Sequence, residues 1–109
     1  MKYKYIAEIR EWHDNINGNT YFSANVEDIE RDVNYILPFQ YGYGDQSEYK
    51  IKKILGLFKL KELDKDGFSF IPSQVKFIKK TNCKKKDVVN FGTGDQDNYN
   101  SRLGYYYQD

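Results

Sequence analysis

The chain has 109 residues and a formal net charge of +1. It is long enough to form one domain spanning 1–109, and too close to neutral to bind nucleic acid through its overall charge. No apolar run approaches the length of a membrane span, and the single cysteine, Cys83, excludes an internal disulfide framework. With no signal-peptide pattern, these features predict a cytoplasmic protein. The unusual component is tyrosine, with eleven copies, because its ring combines apolar area with a polar tip suited to binding surfaces.

The first forty residues predict a three-stranded antiparallel β-meander. Apolar and polar residues alternate in 3–12 and again in 20–26, as in half-buried strands. The Asn17-Gly18 dipeptide between them suits the positive φ of a tight hairpin turn. A third strand, 33–41, comes after a polar turn, and Pro38 within it predicts that this strand lies at a sheet edge or pairs on one side only at that point.

An amphipathic helix is predicted to begin directly after this strand and to cover the apolar face of the meander. Asp45 and Glu48 have the spacing of a capping box. Apolar residues then recur with the helical period, at Ile51, Ile54, Leu55 and Phe58. The helix is expected to reach about residue 60. Gly56 leaves open an alternative in which the helix ends there and FKLKEL pairs with GFSFI in a hairpin.

The C-terminal half predicts further short strands. Residues 75–80 alternate as a strand does, within a stretch from Lys76 to Lys86 that holds six lysines and no acid. The tail carries the run Tyr105-Tyr106-Tyr107, which predicts that it docks on the core or on a partner. The sequence therefore predicts an α+β fold: a three-stranded antiparallel meander covered by one amphipathic helix, with additional short strands.

The clearest local signal is a repeated glycine motif. The segment Tyr41-Gly42-Tyr43-Gly44-Asp45-Gln46 is echoed by Phe91-Gly92-Thr93-Gly94-Asp95-Gln96. Glycines at a strand-to-helix junction let an anion approach the backbone amides of the first helical turn. The alternative is that the glycines only end a strand and the aspartate caps the next element. The motif is not a dinucleotide fingerprint, because the third glycine and the parallel βαβ setting are missing.

Two further clusters are candidates for contacting a ligand. Trp12 offers a stacking platform beside the possible hydrogen-bond donor His13, and the lysine run can contact phosphate. The alternatives are a half-buried tryptophan, a solvated turn histidine and a charged edge strand that discourages aggregation. The full candidate ligand-binding set is Trp12, His13, Tyr41, Gly42, Tyr43, Gly44, Lys84, Lys85, Lys86, Gly92, Gly94 and Arg102.

No paired carboxylates, nucleophile with a base, or set of metal ligands stands out, so the sequence favours binding over catalysis. No catalytic residue, cofactor or metal is expected. The segment Asp64-Lys65-Asp66-Gly67 lacks the remaining oxygen ligands of a calcium loop. Direct DNA binding is the weaker expectation because of the near-neutral charge, no membrane association is expected, and a homo-oligomer stays open.

The segments IREWHDNINGNTYFSANV and ILPFQYGYGD resemble a family of small bacteriophage-encoded proteins that share an Asn-Gly-Asn-Thr-Tyr turn and a Pro-Phe-x-Tyr-Gly-Tyr-Gly-Asp segment. The resemblance covers the first half of the chain, and no established activity comes with it. It implies an accessory protein in the cytoplasm of an infected bacterium. The function expected from this setting is sequestration of a phosphorylated ligand, above all a nucleotide signal of host immunity. The alternative is a protein–protein inhibitor of a bacterial defence complex, similar in role to anti-CRISPR proteins.

Overall fold

The computed structural model describes residues 3–55, 75–102 and 104–108. Its first three strands are β1 (Tyr5–Asp14), β2 (Asn19–Asp28) and β3 (Val33–Tyr41). Each pairs antiparallel with the next. In the first turn Gly18 adopts φ +71°, as the Asn-Gly dipeptide predicts, and its amide donates to the carbonyl of Asp14 at 2.7 Å.

The sheet continues on both sides of these strands. Strand β4 (Val75–Lys80) pairs parallel with β1, and β6 (Tyr105–Gln108) pairs antiparallel with β3 and with the two-residue β5 (Tyr99–Asn100). The strand order is β4-β1-β2-β3-β6-β5. The prediction of an α+β fold is confirmed: the described residues form a mixed six-stranded sheet and two helices. The docked tail is confirmed as well, since β6 extends the sheet.

One face of the sheet carries the main hydrophobic core beneath α1 (Gln46–Ile54). The helix buries Ile51 fully, and Ile54 and Leu55 pack at the margin of the same cluster. The fully or almost fully buried apolar residues of the core are Ala7, Ile9, Phe22, Ala24, Val26, Leu37, Ile51 and Val75. Burying a side chain such as Ile51 contributes about 1.5–3 kcal/mol to stability. α1 ends at Ile54, with Leu55 as its C-cap, which is earlier than the expected end near residue 60, and the alternative hairpin lies outside the described residues.

The opposite face is covered by α2 (Lys85–Phe91), formed by the KKDVVNF segment. Because side chains alternate along a strand, Ser23 and Asn25 of β2 point away from the main core. The Ser23 hydroxyl donates to the Val88 carbonyl at 2.5 Å, and the Asn25 amide donates to the Phe91 carbonyl at 2.8 Å. The side chain of Val88 is completely buried. Polar residues of β2 thus bind α2 to the sheet through carbonyls of its last turn, where partners within the helix are fewest.

No helix among the described residues is long and apolar enough to cross a membrane.

Candidate functional site

The first glycine loop connects β3 to α1, and its backbone is held both by bonds within the loop and by bonds to the sheet, where the Gly42 amide donates to the Thr20 carbonyl at 3.0 Å. Gly42 is buried: a Cβ there would lie 2.6 Å from Phe22 Cε1, so the loop needs glycine for close packing. Gly44 has φ +58°, a conformation that side chains other than glycine rarely adopt. The Gln46 amide oxygen accepts from the Tyr43 backbone amide at 3.0 Å. Position 45 precedes the helix, but the Asp45 side chain makes no capping hydrogen bond, so the predicted capping box does not form.

This loop and the exposed side of α1 enclose an open cleft of about 680 Å³, within the range of roughly 300–1,000 Å³ typical of small-molecule sites. Three tyrosines line it, and each remains substantially exposed: Tyr41 at 54 %, Tyr43 at 57 % and Tyr49 at 41 %. The remaining lining residues are Phe22, Gly44, Asp45, Gln46, Lys50 and Lys53. We call this the tyrosine cleft. Its wall combines apolar ring surface with amide and charged groups, a mixture that suits a planar polar ligand.

Two lysines give the tyrosine cleft its positive charge. The Lys50 ammonium donates to the side-chain oxygen of Gln40, a neutral acceptor that orients the lysine without cancelling its charge. Within the described part of the chain, neither Lys50 nor Lys53 forms an ion pair with a carboxylate. Asp45 is the acidic residue of the lining. Among the described residues, the lining of the cleft therefore carries two cations and one anion, and an anionic ligand gains most at the lysine side.

Lys52, between these lysines in sequence, lies on the opposite side of α1 and is only 8 % exposed. Its ammonium is 5.4 Å from the centre of the Phe77 ring. Burial lowers the pKa of Lys52, an effect that Glu48 and Asp45 partly oppose. Lys52 is therefore part of the helix–sheet interface and does not line the cleft.

Lys79 on β4 fixes the loop and the helix to the sheet. Its ammonium donates to the Gly44 carbonyl at 2.7 Å. It also lies 3.1 Å from Glu11 Oε2 and 3.5 Å from Glu48 Oε1. One side chain thus joins β1, β4, the first glycine loop and the first turn of α1. Because these three contacts occupy its ammonium group, Lys79 supports the structure of the cleft and is not available to bind a ligand.

The second glycine loop lies on the other face of the sheet, beside α2. A Cβ on Gly92 would meet the Phe39 amide nitrogen and Ser23 Cβ, each at 2.8 Å, and a Cβ on Gly94 would meet Tyr106 Cγ at 2.4 Å. Both glycines are therefore required for close packing of this loop on the sheet. The two glycine loops are separated by the sheet and do not line one cleft.

The side chains of the second loop are also used differently from those of the first. Asp95 accepts from the Asp97 backbone amide at 3.0 Å and caps a short 3-10 turn, Gln96–Asn98. The Gln96 amide donates to the Tyr106 hydroxyl at 2.9 Å. The repeated sequence therefore has two local structures, because the first copy leads into a helix of nine residues and the second into a single turn.

Trp12 begins a row of aromatic rings that crosses three strands. Its ring stacks on Tyr21 with centroids 5.6 Å apart, and Tyr21 stacks on Phe39 at 5.1 Å. Tyr41 meets the edge of Tyr21 at 5.8 Å and so connects this row to the tyrosine cleft. The Lys85 ammonium lies 5.3 Å from the Trp12 ring centre, close enough for a cation–π contact. The faces of Trp12 are thus largely engaged inside the protein.

The other predicted site residues are dispersed. His13 is exposed, and its Nδ1 lies 2.9 Å from the Thr20 hydroxyl. The lysines at positions 84–86 lie at the start of α2 and line neither the tyrosine cleft nor the smaller cleft at Arg102. Lys80 pairs with Glu8 at 3.3 Å. The run of six lysines is therefore divided among an ion-pair network on the sheet, the α2 start and exposed Lys76.

Arg102 lines a smaller cleft of about 330 Å³ beside the tyrosine cleft. Its other lining residues are Lys50, Lys53, Ile54, Ser101 and Gly104. Of the residues singled out in the sequence, the structure thus brings Tyr41, Tyr43 and Gly44 into one cleft and Arg102 into its neighbour.

The sequence reasoning missed Tyr49, Lys50 and Lys53 as site residues. A signal for them existed: on a helix whose apolar face is set by Ile51, these positions fall on the outward side next to the first glycine loop. The sequence predicts only an ordinary solvated helix face at these positions, because nothing in it shows that the loop and this face enclose a cleft.

Among the residues that the structure describes, no group of three or more His, Cys, Asp or Glu side chains is placed to hold a metal ion. No family model, curated protein or solved structure matches this chain.

Proposed function

We propose that the protein is a non-enzymatic binder of a small phosphorylated ligand with an aromatic base, and that the tyrosine cleft is its site. The observation that carries this proposal is the combination of three exposed tyrosines with Lys50 and Lys53 around one cleft of about 680 Å³. A tyrosine ring can stack on a base, and a lysine can contact its phosphate. Asp45 supplies acceptors for the donors on the edge of a base, and the amide nitrogen of Gln46 supplies a donor for an acceptor there.

The biological setting proposed for this binding comes from the resemblance to bacteriophage proteins. In the cytoplasm of an infected bacterium, a protein that binds a nucleotide without consuming it lowers the concentration of the free nucleotide. The ligand proposed is therefore a nucleotide signal of host immunity, which the protein sequesters. This mode of action requires tight binding and an expressed amount of protein comparable to that of the signal.

The test uses the full chain and a panel of nucleoside monophosphates, diphosphates, triphosphates and cyclic nucleotides, with calorimetry and thermal unfolding as the two measurements. A ligand present at 100 times its Kd stabilises the folded state by about 2.7 kcal/mol. Tyr43→Ala removes a stacking surface worth about 1–3 kcal/mol, so affinity should fall roughly tenfold. Lys53→Gln should also weaken binding and reduce its salt dependence. Lys76→Gln, at an exposed lysine on β4, is the matched control.

Three outcomes would contradict the proposal. If no nucleotide gives heat or raises the melting temperature, the protein is not a nucleotide binder. If Lys86→Gln weakens binding and Lys53→Gln does not, the site lies at α2 instead of the cleft. If chromatography after incubation shows that the ligand has been converted, the protein is an enzyme.

A second candidate function, inhibition of a bacterial defence complex by direct protein contact, is favoured by the exposed tyrosines outside the cleft. Tyr99 is 40 % exposed and Tyr107 is 39 % exposed, and tyrosine is enriched among the residues that dominate protein interfaces. Tyr106 is only 8 % exposed and belongs to the fold. A pull-down from host lysate without added nucleotide tests this function. A stoichiometric partner that Tyr107→Ala loses and Tyr43→Ala retains would favour it over nucleotide binding.

A further inference from the structure

The tyrosine cleft and the smaller cleft share two lining residues, Lys50 and Lys53. These residues lie three positions apart on α1, so their side chains are neighbours on the helix surface. The lysines therefore form a cationic ridge with a cleft on either side. A ligand that fills only the tyrosine cleft uses one side of this ridge and leaves the other side empty.

The smaller cleft has the size and the chemistry of a second subsite. Its volume of about 330 Å³ lies at the lower end of the range for small-molecule sites. Ile54 and Gly104 offer apolar contact, Ser101 offers a hydroxyl, and Arg102 offers a planar guanidinium. A guanidinium can stack on a base or bind a phosphate through two parallel hydrogen bonds. The Arg102 backbone is held in a local turn, where its amide donates to Asn100 Oδ1 at 3.1 Å.

From the two clefts that meet at Lys50 and Lys53, we infer that the preferred ligand is a dinucleotide. One base stacks among the tyrosines, the linking phosphate lies on the cationic ridge, and the second nucleoside enters the smaller cleft beside Arg102. This inference rests on the proposed function and names its ligand class. The charge pattern supports this inference. Lys50 and Lys53 lie between the two clefts and Arg102 lies beyond them, whereas Asp45, the acid among the described lining residues, lies on the side of the tyrosine cleft.

The experiment compares adenosine and guanosine 5′-monophosphates with the linear and cyclic dinucleotides of the same bases by calorimetry on the full chain. Joining two units that bind adjacent subsites raises affinity by roughly 10²-fold or more without any new kind of contact. The dinucleotides should therefore bind at least about 10²-fold more tightly than the monophosphates. Arg102→Gln should lower the ratio of dinucleotide to monophosphate affinity about tenfold, because it removes charge-assisted hydrogen bonds on one side only.

Each failure has a distinct meaning. If monophosphates and dinucleotides bind with equal affinity, the dinucleotide inference is overturned and the tyrosine cleft stays a mononucleotide site. The same conclusion holds if Arg102→Gln leaves the affinity ratio unchanged. If no nucleotide of either class binds, the proposed function itself is overturned. Where the dinucleotides bind more tightly than the monophosphates, the form that spans the cationic ridge is the one, linear or cyclic, whose affinity falls more on Arg102→Gln.

Discussion

Replacing Lys79 by methionine tests how the cleft is supported. Glu11 Oε2 is buried and lies 3.1 Å from the Lys79 ammonium, but it has no partner with hydrogen-bond geometry among the described residues. The carboxylate side chain is only 12 % exposed, so its charge is compensated mainly by this one cation. Methionine preserves most of the volume of lysine and removes the charge. The substitution therefore leaves a buried carboxylate without its cation.

The expected magnitude lies between two limits. Breaking a fully buried ion pair by removing one partner costs about 3–5 kcal/mol, and removing an exposed pair costs about 0–1 kcal/mol. The Lys79 side chain is 26 % exposed, so in the variant water can partly solvate the Glu11 carboxylate in place of the lost ammonium. We expect Lys79→Met to lower the free energy of unfolding by about 2–3 kcal/mol, including the lost hydrogen bond to the Gly44 carbonyl. For a domain of this size the melting temperature should fall by about 8–15 °C.

The assay is urea unfolding followed by circular dichroism, with four proteins compared. The double variant Lys79→Met with Glu11→Met removes both charges, so its stability should return to within about 1 kcal/mol of wild type. Lys80→Met is the matched control, because its partner Glu8 is 28 % exposed and its loss should cost at most about 1 kcal/mol. The reasoning is refuted if Lys79→Met costs no more than Lys80→Met, or if the double variant is as unstable as Lys79→Met alone.

Three further predictions address the second loop, α1 and the acid side of the stability curve. Gly94→Ala should lower the free energy of unfolding by about 1–3 kcal/mol, measured by urea unfolding without ligand, because the new Cβ would lie 2.4 Å from Tyr106 Cγ. An unchanged free energy of unfolding would contradict the packing role of Gly94. Lys52→Met should stabilise the protein at pH 7, because burial lowers the pKa of Lys52 and the charged form is disfavoured in the fold. The gain should be complete below this lowered pKa and should shrink as pH rises from it toward the ordinary value of 10.5, and a gain independent of pH would contradict this cause. Burial raises the pKa of Glu8, but hydrogen bonds from Arg10 and Lys80 outweigh it and the net pKa is lowered. The contribution of Glu8 to stability is therefore complete above the ordinary pKa of 4.5 and is lost as pH falls through the lower pKa of the folded state. The stability difference between wild type and Glu8→Gln should shrink only below about pH 4.5, measured in acid titrations followed by circular dichroism.

Local patterns in the sequence were sufficient to predict much of the sheet. Alternation in β1 and β2, the Asn17-Gly18 turn and the alternation of residues 75–80 depend on side-chain period and backbone preference, which neighbouring residues determine. The α+β class is a consequence of these patterns together with the amphipathic period around Ile51. The aromatic composition also indicated correctly that the tail docks, since β6 pairs with β3.

The tertiary structure alone decided which of these residues meet. The two glycine motifs have nearly the same sequence, yet α1 and α2 cover opposite faces of the sheet and carry the two loops apart. The lysine run reads as one basic segment, but β4 pairs with β1 and so brings Lys79 to the buried carboxylate of Glu11. Conversely, Lys53 on α1 and Arg102 near the C-terminus are far apart in the chain and line one cleft. Periodicity reports on contacts within a few residues, whereas the position of a cleft depends on how distant elements pack, and that information is not local.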